Sequence, residues 1–287
     1  MKKLLINFAP TGMLPQKTDS PHVPISPTEI INDVLDAASK GICIAHLHAR
    51  DPASGAPLSD PEIYAAIIEG IRKYNSDLII CVSLSGRNIS DPERRCAPIK
   101  LSGTVKPDMA SLTLSSLNFS SKESINSPET IKYICSALKK NGVKPELEIF
   151  DLGMLNAWHY LSSRKMLEPP FYFNVIFGNV YGAQATPCHV APFWQELRNA
   201  GILSYGGIGR QQIIANAMAI ADGSHVRVGL EDNLWFDANR TVAATNATLI
   251  QRVVELAEIS ERPLMSAREA RDLLGLKNDG KNFGVDE

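Results

Sequence analysis

One stretch of the chain passes from an apolar run into polar residues: Ile42-Cys43-Ile44-Ala45-His46-Leu47-His48-Ala49-Arg50-Asp51. The apolar part predicts a buried β-strand, and alternate side chains of a strand point to the same face. His46 and His48 therefore project together from the end of this strand. Two convergent imidazoles suit a divalent metal with affinity for nitrogen ligands. Two core histidines bonded to the backbone would give the same short pattern.

A later stretch has a similar design: His225-Val226-Arg227-Val228-Gly229-Leu230-Glu231-Asp232-Asn233. Val226 and Val228 would face one side of a strand, and Arg227 the other. Glu231 and Asp232 would then lie where the strand leaves the sheet. A carboxylate at this place can complete a His/His/Glu set around zinc and leave a fourth position open. The alternative is a solvated acidic turn after a core strand.

Strand-like runs recur along the chain, with helical patterns between them. The predicted strands lie near residues 3–8, 42–48, 78–83, 108–113, 146–150, 171–177, 201–205 and 224–230. Eight alternating units favour a (β/α)8 TIM barrel, and an open doubly wound sheet is the alternative. We expect one domain over residues 1–287, with a short helical extension at its C-terminal end.

Capping sequences mark the starts of several helices. They are Ser26-Pro27-Thr28-Glu29, Ser59-Asp60-Pro61-Glu62, Ser127-Pro128 and Ser266-Ala267-Arg268-Glu269. The longest helix is predicted from Asn239 to about Ile259.

The barrel also accounts for the polar residues at the predicted strand ends. In a TIM barrel the active site lies at the carboxyl ends of the strands. Six candidate residues fall there: His46, His48, Ser83, Ser111, Glu148 and Glu231. The proline-rich segment 9–26 is expected to form a long loop that covers the mouth of the barrel.

Composition excludes several classes of protein. The chain has 287 residues, 44% of them hydrophobic, which suffices for one large core. The net charge is −2 without long charge runs, so nothing indicates a nucleic acid or an anionic membrane as partner. No stretch approaches transmembrane length, and the first apolar run is too short for a signal peptide. Five cysteines without a CxxC pair favour a reduced, cytoplasmic setting.

The chain resembles the β-keto acid cleavage enzyme family (BKACE). The matching stretches are spread over nearly the whole chain in the order that the family has. They are Val23–Pro27, His46–Pro52, Pro107–Leu112, Asn118-Phe119, Lys144–Glu148, Gly207–Arg210 and His225–Asn233.

The resemblance implies a zinc-dependent barrel, usually tetrameric, that converts a β-keto acid and acetyl-CoA into acetoacetate and a new acyl-CoA. It also implies roles for individual residues. The metal ligands would be His46, His48 and Glu231, the catalytic dyad Arg227 and Asp232, and the substrate-binding residues Ser83, Ser111 and Glu148. Ser111 is a mild departure, because the family tends to have threonine there.

In this scheme Asp232 is the base that removes a proton from the carbon between the ketone and the carboxylate. Arg227 would orient Asp232 and lower its pKa, leaving it ionised but weakly basic. Without the resemblance, Arg227 and Glu148 could equally be structural ion pairs of the barrel interior.

Two further residues have weaker assignments. Arg210 follows the glycine-rich turn Gly206-Gly207-Ile208-Gly209 at a helix start, where backbone N–H groups can bind a phosphate of CoA. His225 could support the metal site as a hydrogen-bonding neighbour of its ligands.

The first loop departs from one branch of the resembled family. In the member that acts on an amino-keto acid, an acidic residue of this loop contacts the ammonium group of the substrate. Leu14 stands in its place here. Met13 and Leu14 suit a neutral, more apolar tail, because an unpaired ammonium beside leucine is costly. We therefore expect that the enzyme does not prefer a cationic β-keto acid.

Three other functions fit parts of the pattern. A metal-dependent hydrolase of the amidohydrolase kind would have its His-x-His pair on the first strand and histidines on the fifth and sixth, which this sequence lacks. A metal-dependent aldolase or lyase would cleave its substrate without acetyl-CoA. A non-catalytic metal-binding barrel would have no use for Arg227 and Asp232.

Overall fold

A computed structural model describes residues 2–277 and 282–285. Within these residues, eight parallel strands close into one barrel in the order of the chain. They are β1 (Ile6–Phe8), β2 (Ile44–Leu47), β3 (Ile79–Val82), β4 (Met109–Thr113), β5 (Lys144–Ile149), β6 (Phe171–Phe177), β7 (Gly201–Gly207) and β8 (His225–Val228). Because β1 pairs with both β2 and β8, the sheet has no open edge. The predicted (β/α)8 barrel is confirmed and the doubly wound sheet is excluded.

Helices surround the barrel and follow its strands. They are α1 (Pro27–Ser39), α2 (Pro61–Arg72), α3 (Pro92–Arg95), α4 (Pro128–Lys140), α5 (Gly153–Ser163), α6 (Pro187–Leu197), α7 (Gln211–Asp222), α8 (Asn246–Ile259) and α9 (Ala267–Leu274). Ser26 and Ser266 each form the predicted capping box, and Ser127 caps α4. In the part of the chain that the structure describes, every helix is too short or too polar to span a bilayer.

Two helix starts differ from the prediction. The cap of α2 is Asp60 and not Ser59, because the Asp60 carboxylate accepts the N–H of Glu62 at 2.8 Å. Helix α8 begins at Asn246 and not near Asn239. The preceding residues instead form a loop in which Trp235 bridges Ala243 and the Asp237 carboxylate accepts two backbone N–H groups.

Arg50 fixes the long loop after β1 against the loop after β2. Its buried guanidinium donates to the carbonyl oxygens of Gly12 at 2.7 Å, Pro15 at 2.9 Å and Gly55 at 2.6 Å. Residues Ala49–Arg50 also pair with Pro57–Leu58 in a short antiparallel hairpin. A second hairpin, Leu117–Asn118 with Glu123–Ser124, follows β4. The predicted loop over the mouth is therefore held in place by its neighbours.

The amino end of the barrel is closed by apolar packing. Leu5 and Cys43, which precede β1 and β2, form one cluster with Tyr172 of β6, with Met265 and with Leu274 of α9. A larger cluster fills the layer between the outer faces of the strands and the helices. The amino end of the barrel interior is thus filled, and the cavity lined by the polar candidate residues opens at the carboxyl ends of the strands.

His225 belongs to this closed end, because it begins β8 whereas Glu231 follows the end of that strand. Its Nδ1 accepts the N–H of Leu5 at 2.9 Å. The suggested support of the metal site by His225 is therefore not seen, since its hydrogen bond holds the backbone of β1. Burial, with the nearby charges of Lys2 and Arg262, lowers the pKa of His225 to about 3.

This buried histidine makes the protein less stable in mild acid. The folded pKa of about 3 lies below the ordinary value of 6.5, so between these values the unfolded chain binds more protons. The contribution of this histidine to the free energy of unfolding should therefore fall by about 1.4 kcal/mol for each pH unit below about 6.5. Urea denaturation between about pH 4 and 7 measures this slope. His225→Gln should flatten it, and His22→Gln, at an exposed histidine, should not. An equal slope in both variants would contradict the assignment.

Candidate active site

A cavity of about 180 Å³ opens at the carboxyl ends of the strands. Most of the residues singled out from the sequence line it, which places them in one site: Leu14, His48, Ser83, Glu148, Arg227, Glu231 and Asp232. Other lining residues were not anticipated, and the polar ones include Ser85, Arg87, Thr113 and Asn179.

The proposed metal ligands converge at the floor of this cavity. The Nε2 atoms of His46 and His48 lie 3.2 Å apart. The Glu231 carboxylate is 3.2 Å from His48 Nε2 through Oε1 and 3.9 Å from His46 Nε2 through Oε2. Within the described residues Glu231 Oε2 is buried without a hydrogen-bond donor. Two imidazole nitrogens and an unsatisfied carboxylate oxygen at these distances are a donor set that fits a divalent cation.

Two glycines let the loops bring Glu231 to the histidines. Gly229 has φ = 151°, and a Cβ there would overlap the backbone of Ala9. Gly12 has φ = 70°, and a Cβ there would clash with the side chain of Glu231. Because neither residue carries a side chain, the loops after β1 and β8 pack directly against each other. This contact sets the position of the Glu231 carboxylate.

Glu146 is a candidate site residue that the sequence reasoning missed. Its Oε2 accepts a hydrogen bond from His46 Nδ1 at 2.6 Å. Its Oε1 accepts from the side-chain amides of Asn7 at 2.6 Å and Asn174 at 3.1 Å. A carboxylate on Nδ1 fixes the ring and leaves Nε2 to the metal. The available signal was strand alternation, since Glu146 and Glu148 are two residues apart and share a face of β5.

The pKa values of Glu146 and His46 are those of an ion pair. Burial alone would raise the pKa of Glu146, but the His46 imidazole outweighs it and lowers that pKa to about 2. Burial would lower the pKa of His46, but Glu146 and Glu231 raise it to about 9.

A second cluster of possible ligands fits a metal less well. It consists of His46, Cys81 and Glu146. All three are fully buried below the cavity, and the Glu146 carboxylate is occupied by its amide partners. The Cys81 thiol donates to Glu146 Oε2 at 3.3 Å, and burial and the Glu146 charge raise the pKa of this thiol well above its ordinary value. The structure therefore favours the His46, His48 and Glu231 set.

Glu146→Gln should weaken metal binding by about 10- to 100-fold. The neutral amide of glutamine cannot replace the anionic carboxylate that accepts the hydrogen bond of His46 Nδ1 and orients the ring. A competition titration against a chromophoric chelator measures the dissociation constant of zinc. Glu148→Gln is the matched control, since its carboxylate lies on the same face of β5 but contacts Thr113 and not His46. Equal zinc affinity in the Glu146 variant and the wild type would overturn this role.

Arg227 and Asp232 form a two-point ion pair beside the metal ligands. Arg227 Nε lies 2.8 Å from Asp232 Oδ2, and Nη2 lies 3.2 Å from Oδ1. Nη2 also lies 2.8 Å from Glu231 Oε1. The expected lowering of the Asp232 pKa is wrong. Burial and the neighbouring Glu231 carboxylate outweigh Arg227 and raise it. Asp232 is therefore a stronger base than the sequence indicated.

Glu148, Ser83 and Thr113 form the polar wall of the cavity. Thr113 donates from Oγ1 to Glu148 Oε2 at 2.7 Å, and Arg227 Nη1 lies 3.9 Å from Glu148 Oε1. Burial raises the pKa of Glu148. Ser111 is placed differently from the expectation. It does not line the cavity, and its hydroxyl accepts the N–H of Leu84 at 3.0 Å. The cavity residue of β4 is Thr113, one alternation further along the strand.

The weaker candidates lie at the edge of the site or outside it. Arg210 is exposed at the start of α7 and does not line the cavity. The glycine-rich turn before it donates the N–H of Gly209 to the carbonyl of Asp232 at 2.7 Å, so it supports the loop of the base. Leu14 is 52% exposed and lines the cavity with Met13.

Comparisons with known proteins give a consistent result. The model of the family described as beta-keto acid cleavage enzyme matches residues 3–276. A 3-keto-5-aminohexanoate cleavage enzyme of Acetoanaerobium sticklandii is 33% identical, covering 96% of this chain and 99% of that protein. A 3-oxoadipate:acetyl-CoA acetyltransferase of Cupriavidus necator is 32% identical, covering 97% of this chain and 98% of that protein.

Solved structures agree on the fold. ObcA, in a ternary complex with a C4-CoA adduct and oxalate, has a TM-score of 0.80. It is 21% identical to this chain, and the match covers 90% of this chain and 68% of ObcA. At this identity the likeness supports the barrel alone.

Proposed function

The chain belongs to the β-keto acid cleavage enzyme family, and we propose that it condenses a β-keto acid with acetyl-CoA to give acetoacetate and a new acyl-CoA. The observation that carries the proposal is one cavity with the His/Glu metal set at its floor and the Arg227–Asp232 pair in its wall. Relatives similar over nearly their whole length support the reaction type, because one is named as an acetyl-CoA acetyltransferase of a β-keto acid.

Zinc is the cation we propose for His46, His48 and Glu231, since nitrogen ligands with one carboxylate and open positions are typical of catalytic zinc sites. When bound, the ion would supply Lewis acidity to the keto and carboxylate oxygens of the substrate. Tetrameric assembly and a cytoplasmic location, both expected from the sequence, stay predictions.

Asp232 begins the reaction by taking a proton from the carbon between the ketone and the carboxylate of the substrate. Its raised pKa makes this transfer more favourable, and the two-point contact with Arg227 holds the carboxylate in one orientation. Arg227 Nη1 is buried without an acceptor among the described residues, so it has a donor to spare for a substrate oxygen. Ser83, Thr113 and Glu148 line the space around the polar head of the substrate.

The exchange of acyl groups then follows in two steps, a condensation and a cleavage. The carbanion attacks the thioester carbon of acetyl-CoA, a carbon–carbon bond forms, and the CoA thiolate leaves. The thiolate adds to the original keto carbon, and the bond from that carbon to the former carbanion breaks. The electron pair returns to the released fragment, which takes the proton back from Asp232. The products are acetoacetate and the acyl-CoA of the substrate tail.

The proposal is tested by acetoacetate release from purified, zinc-loaded protein with a panel of β-keto acids. We expect release only when a β-keto acid and acetyl-CoA are both present. Release without acetyl-CoA would indicate a lyase, and no release from folded, zinc-loaded protein would contradict the proposal.

Leu14 predicts which tail the enzyme rejects. It places an aliphatic side chain on the cavity, so an ammonium at the end of the substrate would lose its hydration without gaining a partner. We expect kcat/KM for a β-keto acid with a cationic tail to be at least about 10-fold below that for an uncharged tail of equal length. Leu14→Glu should narrow this gap, and Leu152→Glu, at another exposed leucine, is the control. A cationic substrate that is clearly the best of the panel would contradict the prediction.

A further inference from the structure

Arg87 is a cavity residue to which the proposed reaction gives no role. It follows β3 and lines the same cavity as Asp232 and Glu231. The centre of its guanidinium lies 3.4 Å from the centroid of the Phe119 ring, and that ring packs edge-on against Phe150. A guanidinium stacked on a ring keeps its N–H groups at the edge of the plane, where they can bind a carboxylate through two hydrogen bonds.

The Arg87 guanidinium makes no direct ion pair among the described residues. The more distant carboxylates of Glu231, Glu148 and Asp232 offset its burial only in part, since its pKa is lowered. Arg227, the other arginine among the described lining residues, is paired with Asp232 and Glu231, each at 2.8 Å. In residues 2–277 and 282–285, no carboxylate oxygen comes within 4.0 Å of the Arg87 guanidinium. A half-buried cation without an acidic partner is costly, and an anion from outside would remove that cost.

The surroundings of Arg87 suit a small anion at the end of a carbon chain. Ser85, Ser120 and Ser124 line the cavity near this loop and its neighbour, and offer hydroxyl donors. Apolar side chains such as Leu117 and Ile208 line the same cavity and can pack against methylene groups.

The size of the cavity argues against the nucleotide of CoA as the anion. At about 180 Å³ the space is below the range of about 300–1,000 Å³ typical of pockets for larger ligands. The bulky, phosphorylated end of CoA exceeds this space, whereas a short acyl chain fits inside it.

We propose that Arg87 binds a terminal carboxylate on the tail of the substrate, so that this chain prefers β-keto dicarboxylic acids. This inference rests on the proposed function and changes the expected tail of the substrate from neutral to anionic. Leu14 is compatible with it, because both residues disfavour a cationic tail. The expectation of a neutral tail took only Met13 and Leu14 into account, and Arg87 changes that balance.

The first test measures binding without turnover. Calorimetry on the zinc-loaded protein compares simple dicarboxylates of increasing length with monocarboxylates of the same length. We expect the best dicarboxylate to bind at least about 10-fold more tightly than its monocarboxylate match, as one charge-assisted pair supplies this much. Arg87→Met should remove the difference and Arg87→Lys should keep part of it. Arg198→Met is the control, since Arg198 stacks on Trp194 at the surface.

Equal affinity of the two acid series in the wild type would overturn the inference. So would an Arg87→Met variant that keeps the preference for dicarboxylates but has a raised KM for acetyl-CoA, because Arg87 would then serve the CoA.

A second measurement separates this inference from the proposed function. The kcat/KM values of a β-keto dicarboxylate and of an uncharged β-keto acid of equal length are compared in the wild type and in Arg87→Met. Tight dicarboxylate binding without acetoacetate from any substrate would reject the reaction and keep the Arg87 site. Acetoacetate formation without a preference for the dicarboxylate would support the reaction and reject the Arg87 site.

Discussion

Replacing Asp232 with asparagine should lower the rate of acetoacetate formation by about 10²- to 10⁴-fold, the usual contribution of a general base. The amide cannot accept the substrate proton, but it can still contact Arg227, so the fold and the zinc content should persist. Asp151→Asn is the matched control, because Asp151 is exposed on the loop after β5 at the same end of the barrel. A variant that retains most of the wild-type rate with zinc bound would show that another group is the base.

The acid limb of the pH profile gives an independent check on this residue. Asp232 must be unprotonated to act, and burial raises its pKa above the ordinary value of 3.8. The kcat/KM should therefore fall as the pH drops through that raised pKa, and this limb should disappear in the residual activity of Asp232→Asn. A limb that survives the substitution would belong to a different group.

His48→Ala should remove zinc and reduce acetoacetate formation to the background rate. Loss of an outer hydrogen-bond partner weakens metal binding by about 10- to 100-fold. The loss of a direct ligand should weaken zinc binding by more than this. His48 is a better choice than His46, whose loss would strand the buried carboxylate of Glu146 without its counter-charge. Metal analysis and the rise in melting temperature on adding zinc provide the readouts.

The control for this variant is His22→Ala, at an exposed histidine, which should bind zinc and turn over like the wild type. Chelation of the wild-type protein should abolish turnover, and added zinc should restore it. Full activity of the zinc-free wild type, or of His48→Ala, would contradict a metal-dependent reaction.

Much of the site could be predicted because strand geometry is local. The period of two places His46 and His48 on one face, and the closure of a parallel barrel brings β8 beside β1 and hence Glu231 close to them. The same alternation places Glu146 on the face of β5 that carries Glu148. It was missed because alternation does not say which carboxylate lies under a histidine and which one lines the cavity.

What the sequence could not supply depends on burial and on loops. The Asp232 pKa rises because of desolvation by the packed barrel, which no local pattern reveals, whereas the arginine five residues away suggested the opposite. The start of α8 was displaced by the bridge between Trp235 and Ala243. Arg87 lies in an irregular loop, and only the assembled cavity shows that it faces the substrate space.

Isotope labelling follows the carbon atoms through the proposed exchange of acyl groups. Acetyl-CoA labelled with ¹³C in both acetyl carbons is given to the zinc-loaded enzyme with an unlabelled β-keto acid, and the products are analysed by NMR. If the substrate carbanion attacks the thioester, the label must appear in the ketone and methyl carbons of acetoacetate, and the new acyl-CoA must carry none. Label in the new acyl-CoA, or acetoacetate without label, would contradict the proposed reaction.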